Sequence, residues 1–405
     1  MELTFPLILD GATGTQLQAR GFAGGECAER WTLEHPEAIL EVQRAYVAAG
    51  SRVLYAPTFG ANRVKLEAHG IFNRVEEYNM RLVELSREAA DGRALVAGDL
   101  SPTGLFLYPL GDARFEELVD IYTEQAAALE KAGVDLFVIE TMMTVSDARA
   151  ALLAVKSVSD KPVFVTFTCN ESGRTLTGSD PAAVLQILQG MGADAFGLNC
   201  STGPEEMVPV LRRLHEIARV PLIAKPNAGF PELTERGAVY NCPPAAFAGC
   251  MDALAEAGVM IFGGCCGTDE THVRAIAEKS ASLTLHRPEP QQAGLLPCAT
   301  EKELFFLDPA VSGGTVLPCN AALEERLEEA MEDDAALVTV ELTSAEELDS
   351  FADAQYLITK PLSLRCADAG LLEQALRLYQ GRALYEGPLS DEALRPLAAK
   401  YGLIT

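Results

Sequence analysis

The sequence predicts an α/β protein in which a barrel of eight parallel strands is followed by a small C-terminal α/β domain. Short apolar segments alternate with amphipathic segments from residue 7 to about residue 280. The apolar segments lack strict alternation, as is typical of strands buried on both faces of a parallel sheet. The rhythm then stops at a stretch rich in proline and glutamine. We therefore predict a barrel over 1–285, a linker over 286–298 and a small domain over 299–405.

Eight segments are predicted as barrel strands: 7–12, 52–59, 94–100, 136–141, 162–169, 195–201, 221–227 and 260–266. Helices are predicted between them at 36–49, 115–132, 146–157, 180–190, 204–218, 243–257 and 269–280. Pro36, Pro181 and Pro204 are typical of first helical turns. Eight such units over this length favour a (β/α)8 TIM barrel. A doubly wound open sheet is the alternative, although the chain has no dinucleotide-binding glycine fingerprint.

The region after the linker predicts a second, smaller α/β unit. Its predicted strands are 303–307, 336–343 and 355–362, and its predicted helices are 320–333 and 369–380. A stretch of about 110 residues is too short for a second full barrel. The acidic run EERLEEAMEDD is predicted to be a solvated helix face, with a docking surface as the alternative.

Composition excludes several classes of function. The 405 residues include 32 Lys and Arg against 58 Asp and Glu, a net charge of -26. Nucleic-acid binding and binding to anionic membranes need clustered basic residues, so neither is expected. The N-terminal residues do not resemble a signal peptide, and we expect a cytoplasmic protein with reduced thiols. The ten cysteines are then explained by burial, metal binding or catalysis rather than by disulfides.

Three cysteines fall where a barrel carries its active site, at the carboxyl ends of its strands. Cys200 ends the sixth predicted strand, and Cys265 and Cys266 end the eighth. Only one strand separates these two, so a site with three cysteine ligands is expected. The other seven cysteines are predicted to be small buried apolar residues: Cys27, Cys169, Cys242, Cys250, Cys298, Cys319 and Cys366.

The adjacent cysteines are the unusual feature of this pattern. Neighbouring residues of a regular strand point to opposite faces, so both can bind one ion only where the backbone is distorted. Gly263, Gly264 and Gly267 would supply that freedom. Three thiolates suit Zn²⁺ and leave a fourth position open. Three thiolates make the ion a weak Lewis acid, so it would activate bound water poorly. A thiol bound to zinc is deprotonated, and we therefore predict that the site binds a substrate thiol as the thiolate for alkyl transfer. A redox role is disfavoured because there is no C-x-x-C motif.

The chain resembles the homocysteine S-methyltransferases over roughly residues 5–280, and most closely the homocysteine-binding module of cobalamin-dependent methionine synthases. The stretches that carry the resemblance are LILDGATGTQLQARGF, EHPEAILEVQRAYVAAG, TFGANRVKL, GDLSPTG, DLFVIETM, GLNCSTGP, IAKPNAGFP and IFGGCCGTDETHV. The resemblance implies a (β/α)8 barrel with zinc held by Cys200, Cys265 and Cys266. It also implies residues that hold the amino-acid part of the substrate or lie near the open metal position: Asp10, Gly11, Ala12, Thr13, Glu140 and Asn227.

The chain departs from this family at one point of its motifs. Tyr55-Ala56-Pro57 stands where relatives commonly place Glu or Gln followed by Thr-Asn, so a phenol replaces a polar group and proline removes a backbone donor. An alternative for Asp10 and Glu140 is a structural role as helix caps or in ion pairs, with Arg20, Arg63 or Lys225 as partners. The chain also lacks a D-x-H-x-x-G corrinoid signature.

The predicted function is zinc-dependent methyl transfer to homocysteine, which forms methionine. The expected donor is methylcobalamin on a separate corrinoid protein. The alternatives are a donor of the S-methylmethionine or betaine type and a non-catalytic thiol-binding module. The small domain is expected to dock the corrinoid protein or to form a homodimer.

Overall fold

Eight parallel strands form the main sheet of the computed structural model, which describes residues 3–234, 237–291, 294–311 and 314–405. In chain order, the strands up to residue 262 are β1 (Leu7–Ile8), β2 (Val53–Tyr55), β3 (Leu95–Leu100), β4 (Leu136–Met142), β5 (Val163–Phe167), β6 (Ala195–Asn199), β7 (Leu222–Lys225), β8 (Glu232–Thr234), β9 (Gly237–Val239) and β10 (Val259–Phe262). The hydrogen-bonded order of the main sheet is β1-β10-β7-β6-β5-β4-β3-β2. Arg52 N donates to Ile8 O at 2.8 Å between β1 and β2, so the sheet nearly closes. The predicted barrel is confirmed.

Helices connect these strands and surround them. They are α1 (Gly14–Gln18), α2 (Ala28–Glu34), α3 (Pro36–Ala49), α4 (Arg63–Ala68), α5 (Val75–Ala90), α6 (Phe115–Ala132), α7 (Val145–Val158), α8 (Pro181–Gly190), α9 (Pro204–His215), α10 (Pro244–Gly249), α11 (Met251–Glu256) and α12 (Glu270–Ser280). Within the described ranges, no helix is both long and apolar enough to cross a membrane.

Local signals in the sequence set many of the helix ends. Pro36, Pro181 and Pro204 occupy first turns, as predicted. The side chain of Thr144 accepts from Asp147 N at the start of α7, which satisfies a free helical N–H group. Gly133 ends α6 with a φ of +78°, a left-handed conformation that glycine adopts without strain.

The barrel interior is a separate apolar cluster to which each of the eight strands or its immediate neighbours contribute. Its buried members are Leu7, Leu9, Val53, Tyr55, Ala97, Leu136, Val138, Phe164, Ala195, Ile223 and Ile261. A larger cluster fills the space between the strands and the helices. The interior is therefore a packed core, and a site can form only at its ends.

The C-terminal region contains a hairpin and a second parallel sheet. The antiparallel hairpin pairs β11 (Leu296–Ala299) with β12 (Leu304–Leu307). The parallel sheet has the order β13 (Val316–Pro318), β14 (Val338–Glu341), β15 (Leu362–Arg365) and β16 (Leu384–Tyr385). Its helices are α13 (Leu323–Glu332), α14 (Leu348–Ala354), α15 (Ala369–Leu378) and α16 (Asp391–Tyr401), with short 3₁₀ turns at Ala345–Glu347 and Gln355–Leu357.

Several predicted elements were wrong or incomplete. The predicted strand 355–362 is a 3₁₀ turn followed by a loop, and the strand begins only at Leu362, after Pro361. Tyr356, Leu357 and Ile358 form an apolar run too short for periodicity to separate a strand from a helix end. The predicted helix 243–257 is divided into α10 and α11. The last residues of the predicted linker 286–298 belong to β11. The elements that were not predicted are α1, α2, α4, α5, α14, α16, β8, β9, β13 and β16.

The C-terminal region packs against the outside of the barrel. Every residue of α7 from Val145 to Val155 is buried, as is every residue of α8 from Pro181 to Leu188. A helix that is buried on all sides needs a partner on its outer face as well as its inner one. Arg149 of α7 provides a polar link, because its Nη2 donates to Leu376 O of α15 at 2.9 Å.

Candidate functional site

Cys200, Cys265 and Cys266 meet at the carboxyl end of the barrel. Cys200 follows β6, and the adjacent pair follows β10. The three Sγ atoms all lie within 4.8 Å of one another. The Sγ atoms of Cys200 and Cys266 are 3.9 Å apart. The structure therefore brings together the three thiols that the sequence singles out.

Backbone geometry turns Cys200 towards the adjacent pair. Cys200 and Ser201 have φ values of +59° and +60°, in the left-handed region that residues other than glycine rarely adopt. Hydrogen bonds to the next strand hold this turn, since Cys200 N donates to Lys225 O at 3.1 Å. Cys265 N donates to Pro226 O at 2.7 Å, so both halves of the cluster are anchored to the same connection after β7.

The three glycines beside the cysteine pair act in two different ways. Gly267 alone among them has a positive φ, of +80°. A Cβ atom at Gly263 would lie 2.9 Å from Leu9 Cβ, and one at Gly264 would overlap the side chain of Thr268. The predicted conformational freedom thus applies to Gly267, whereas Gly263 and Gly264 are needed because the chain passes too close to its neighbours for a side chain.

The three thiols influence one another strongly. Hydrogen bonds from Cys200 and Cys265 lower the pKa of Cys266 to about 3. The same contacts raise the pKa of Cys200 far above its usual range. Deprotonating the second and third thiols therefore requires a nearby positive charge. Two sulfurs bound to one tetrahedral zinc lie about 3.8 Å apart, close to the separation of Cys200 and Cys266, so the donor set fits zinc.

A cavity of about 270 Å³ extends from the thiols into the mouth of the barrel. Its lining combines the thiols with buried charged groups and apolar walls: Ala12, Thr13, Gly14, Leu17, Ala28, Glu29, Thr32, Tyr55, Pro57, Phe59, Asp99, Glu140, Thr141, Cys200, Lys225, Cys265 and Cys266. A cavity of this size holds a small molecule of amino-acid dimensions. The arrangement can therefore place a small thiol beside the three sulfurs.

Of the two carboxyl groups that the resemblance associates with the substrate, Glu140 lines this cavity, whereas Asp10 contacts the lining residues Tyr55 and Lys225. Asp10 Oδ2 accepts from Tyr55 N at 2.7 Å, and its Oδ1 lies 3.5 Å from Lys225 Nζ. Glu140 Oε2 accepts from Asn199 Nδ2 at 3.2 Å. Burial raises the pKa of Asp10 to about 6 and that of Glu140 to about 8. Both carboxyl groups would therefore gain from a cationic partner.

The backbone of the loop after β1 is only partly available to a ligand. Ala12 N donates to Thr268 Oγ1 at 3.1 Å, and Ala12 O accepts from Tyr46 OH at 2.7 Å. Gly11 is packed tightly, because a Cβ there would lie 2.7 Å from Tyr46 Oη. Thr13 lines the cavity. A substrate carboxylate would therefore meet the backbone at Thr13 rather than at Ala12.

Asn227 lies next to the thiols but is buried. Its N–H donates to Thr202 O at 2.9 Å, and the neighbouring Ala228 N donates to Cys266 O at 2.9 Å. Its side-chain Oδ1 has no hydrogen-bond partner among the described residues. This free oxygen is consistent with the position that the resemblance implies for Asn227.

Lys225 is the group whose importance the sequence understated. Its side chain is only 4% exposed, and its Nζ lies 4.7 Å from the centre of the Tyr55 ring. Although burial alone would lower its pKa, acidic groups led by Asp10 hold the pKa above its ordinary range. The other suggested partners bind elsewhere, since Arg20 pairs with Glu41 and Arg63 with Glu124.

Two further side chains were missed altogether. Asp99 is the last residue but one of β3, and the phenol of Tyr240 forms a hydrogen bond with the thiol of Cys266. A lone charged residue at the end of an otherwise apolar strand was the available signal for Asp99. Of the seven cysteines predicted to be buried, Cys242 and Cys250 are only half-buried; Cys242 lies in the loop after β9, and Cys250 lies between α10 and α11.

Comparisons with known proteins agree with this geometry. A family model described as homocysteine S-methyltransferase matches residues 7–280. The chain is 34% identical over 305 residues to a methionine synthase of Mycobacterium tuberculosis. The aligned part covers 70% of this chain and 25% of that protein. It is 34% identical over 291 residues to the methionine synthase of Mycobacterium leprae, with 67% and 24% covered. The chain thus spans about a quarter of the length of these relatives.

Solved structures show the same fold. The metallated form of the homocysteine methyltransferase MmuM from Escherichia coli is 26% identical, with a TM-score of 0.58, and the match covers 68% of this chain and 96% of that one. The oxidized form of the same protein, at 24% identity and a TM-score of 0.58, supports the fold alone.

Proposed function

The chain belongs to the homocysteine S-methyltransferase family, and on that premise we propose that it methylates the sulfur of homocysteine to form methionine. The observation that carries the proposal is the meeting of three thiols with a closed-in cavity of about 270 Å³ that also holds buried carboxyl groups. A thiol that carries an amino-acid end has complementary groups for both ends in that cavity.

Cys200, Cys265 and Cys266 would hold a zinc ion. Their spacing supports this assignment, as does the mutual effect of the thiols on one another's pKa. When bound, zinc supplies the positive charge that keeps a substrate thiol deprotonated near neutral pH. The protein's own part is to fix the three sulfurs through the backbone hydrogen bonds to Lys225 and Pro226.

The remaining cavity residues would bind and orient the amino-acid end. Glu140 would accept a hydrogen bond from the substrate ammonium, and Asp10 would contribute its negative charge from beneath. The backbone at Thr13 would meet the carboxylate, beside Gly11 and Ala12. Asn227 would occupy the open position next to the sulfurs until the substrate arrives.

The proposed methyl donor is methylcobalamin carried by a separate corrinoid protein. The similarity to methionine synthases supports this donor over S-methylmethionine or a betaine. The exposed ring of Phe59, which lines the cavity, offers apolar contact area for a large donor, as does the exposed ring of Phe230 in a second pocket that shares Cys200. The substrate sulfur would attack the methyl carbon as the bond between that carbon and its carrier breaks.

We propose that residues 1–285 form the catalytic barrel and that the region from β11 to residue 405 forms a second unit packed against it. The latter would dock the corrinoid protein or pair with a second copy of the chain. The three thiols must stay reduced to bind metal, so a cytoplasmic location is proposed with this function.

The test is methyl transfer to homocysteine by the zinc-loaded protein with each donor in turn. We expect methionine with a methylcobalamin-loaded corrinoid protein and none with S-methylmethionine or betaine. Turnover with S-methylmethionine alone would reverse the assignment of the donor. A second candidate is a thiol-binding module, favoured by the buried Tyr55 that replaces a polar group in the cavity. Homocysteine binding without transfer from any of the three donors would support that reading.

A further inference from the structure

Asp99 is a buried carboxyl group in the cavity wall, and the proposed function assigns it no role. It stands at the carboxyl end of β3 and is 4% exposed. Its Oδ1 is enclosed and has no hydrogen-bond partner within the described ranges. A buried polar atom without a partner is costly, so a native protein that keeps one usually provides a partner from outside.

The backbone around Asp99 is fixed, so the direction of its side chain is fixed as well. The backbone N–H of Asp99 donates to Thr58 Oγ1 at 3.1 Å. Thr58 Oγ1 in turn donates to Asp99 O at 2.9 Å, and Gln125 Nε2 donates to the same carbonyl at 3.3 Å. Thr58 and Gln125 thus engage the backbone N–H and C=O of Asp99, and its carboxyl group lines the cavity.

The lysines nearest to Asp99 are already engaged. Lys65 Nζ donates to Ser101 Oγ at 2.7 Å, and Lys225 Nζ lies 3.5 Å from Asp10 Oδ1. Neither lysine forms an ion pair with Asp99 within 4.0 Å in the described part of the chain. Burial, followed by the charge of Glu140, raises the pKa of Asp99 well above its usual value. The cavity and its immediate surroundings thus hold more acidic groups than cations.

We propose that Asp99 is a specificity-determining residue that binds the ammonium group of an amino-acid thiol, together with Glu140. An ammonium group brings three donors and a full positive charge, which match the carboxyl group of Asp99 on the cavity wall and the excess of acidic groups around it. This inference rests on the proposed function, since it names how that site distinguishes an amino-acid thiol from other thiols of the same length. Lys225 neutralises Asp10 from the other side and leaves Asp99 and Glu140 for the ligand.

The test compares two thiols that differ only in the ammonium group. Homocysteine and 4-mercaptobutyrate share the thiol, the carbon chain and the carboxylate. Binding of each to the zinc-loaded full chain is measured by calorimetry, without any methyl donor. We expect Asp99→Asn to weaken homocysteine about tenfold or more, as loss of a charge-assisted hydrogen bond does, and to leave 4-mercaptobutyrate within about twofold.

Glu29→Gln is the matched control. Glu29 is also a buried carboxyl group in the cavity wall, but Gly60 N donates to its Oε1 at 2.6 Å, so its partner is internal. We expect no change in the ratio of the two affinities for this variant. Asp99→Glu, which keeps the charge, should retain a preference for homocysteine and serves as the second variant if Asp99→Asn does not fold.

Two results would overturn the inference. If Asp99→Asn weakens both thiols equally, or weakens neither, Asp99 does not read the ammonium group. The proposed function fails separately, when the wild-type protein binds neither thiol or binds homocysteine without methylating it from any donor. Selective loss of homocysteine in Asp99→Asn supports the inference even where the donor is still unknown.

Discussion

At the scale of single residues, the cavity is dominated by charges held away from water. Asp10, Glu140 and Asp99 surround one lysine, Lys225, and each of the three carboxyl groups has a raised pKa. The lysine reduces the repulsion among them but does not remove it. Ionisation of these groups in the free protein is therefore unfavourable, and a cationic ligand group would favour their charged forms.

Asp10 gives a pH-dependent prediction for the metal-free protein. Its pKa is about 6 when folded against 3.8 ordinarily, so ionisation costs more in the folded protein than in the unfolded chain. Its contribution to stability therefore falls as pH rises from about 4 through 6. Asparagine does not ionise. Between about pH 4 and pH 7 we expect the free energy of unfolding of Asp10→Asn to rise by about 2 kcal/mol relative to wild type.

Urea unfolding of the metal-free protein at several pH values measures this difference. A difference that stays constant with pH, or that falls as pH rises, would show that Asp10 is not held with a raised pKa. The side-chain oxygen of asparagine can still accept from Tyr55 N, so the change in slope reports the ionisation of Asp10.

Sequence reasoning reached some of these residues and not others, for a physical reason. The three cysteines stand at strand ends, and strand order alone places such ends together. Asp99 and Lys225 also stand near strand ends. Asp99 matters because its Oδ1 has no partner among the described residues, and Lys225 matters because it pairs with Asp10. Pairing of buried charges depends on side-chain directions at distances of 3 to 4 Å, which a pattern of residue types does not contain.

At the scale of elements, the sheet depends on close approaches between neighbouring strands. Gly197 of β6 faces β7 so closely that a Cβ atom would overlap the carbonyl group of Ile223. That group is backbone and cannot move aside as a flexible side chain does. Strand periodicity predicted β6 correctly, but it did not show that this position tolerates only glycine.

Replacement of Gly197 by alanine tests this tight contact. We expect Gly197→Ala to lower the free energy of unfolding by about 3 kcal/mol or more, because the strands must separate to admit the methyl group. Gly249→Ala is the control, since a Cβ there meets no atom within 4 Å and lies at the end of α10. Its effect should stay within about 1 kcal/mol. Equal thermal stability of the two variants would contradict the structure at β6 and β7.

The wrong strand prediction came from a short apolar run. The segment 355–362 has the composition of a strand, yet its first residues end a helix because Phe351 and Ile358 pack into the same core. Long elements with several independent signals, such as α3 and α6, were predicted to within a residue or two. Composition decides poorly where an element is only three or four residues long.

At the scale of the whole molecule, the barrel and the C-terminal region share a buried interface. Arg149 is fully buried there and donates to the carbonyl groups that end α15, Leu376 O at 2.9 Å and Arg377 O at 3.4 Å. Burial lowers its pKa to about 10. The outer faces of α7 and α8 are apolar because this region covers them. That apolar character was the signal in the sequence for a covering partner, and the pattern of charged residues did not reveal it.

Arg149→Met tests whether this interface stabilises the molecule. The variant leaves the buried carbonyl groups at the end of α15 without a donor, so we expect a loss of about 3 kcal/mol and earlier proteolysis after residue 299. Arg377→Gln is the comparison. It removes a partly exposed pair with Glu116, at 2.5 Å, and should cost less than about 1 kcal/mol. Equal proteolysis of the two variants and wild type would mean that the C-terminal region is held by other contacts.

Zinc content and methyl transfer, measured together in wild type and in Cys265→Ala, test most directly whether the three cysteines hold a zinc ion that the reaction needs. We expect about one zinc per wild-type chain, and little or none in a Cys265→Ala protein that folds normally and transfers no methyl group to homocysteine. Wild-type protein that carries no zinc and still methylates homocysteine would show that the reaction does not need the metal. A Cys265→Ala variant as active as wild type would contradict a role of the three cysteines in methyl transfer.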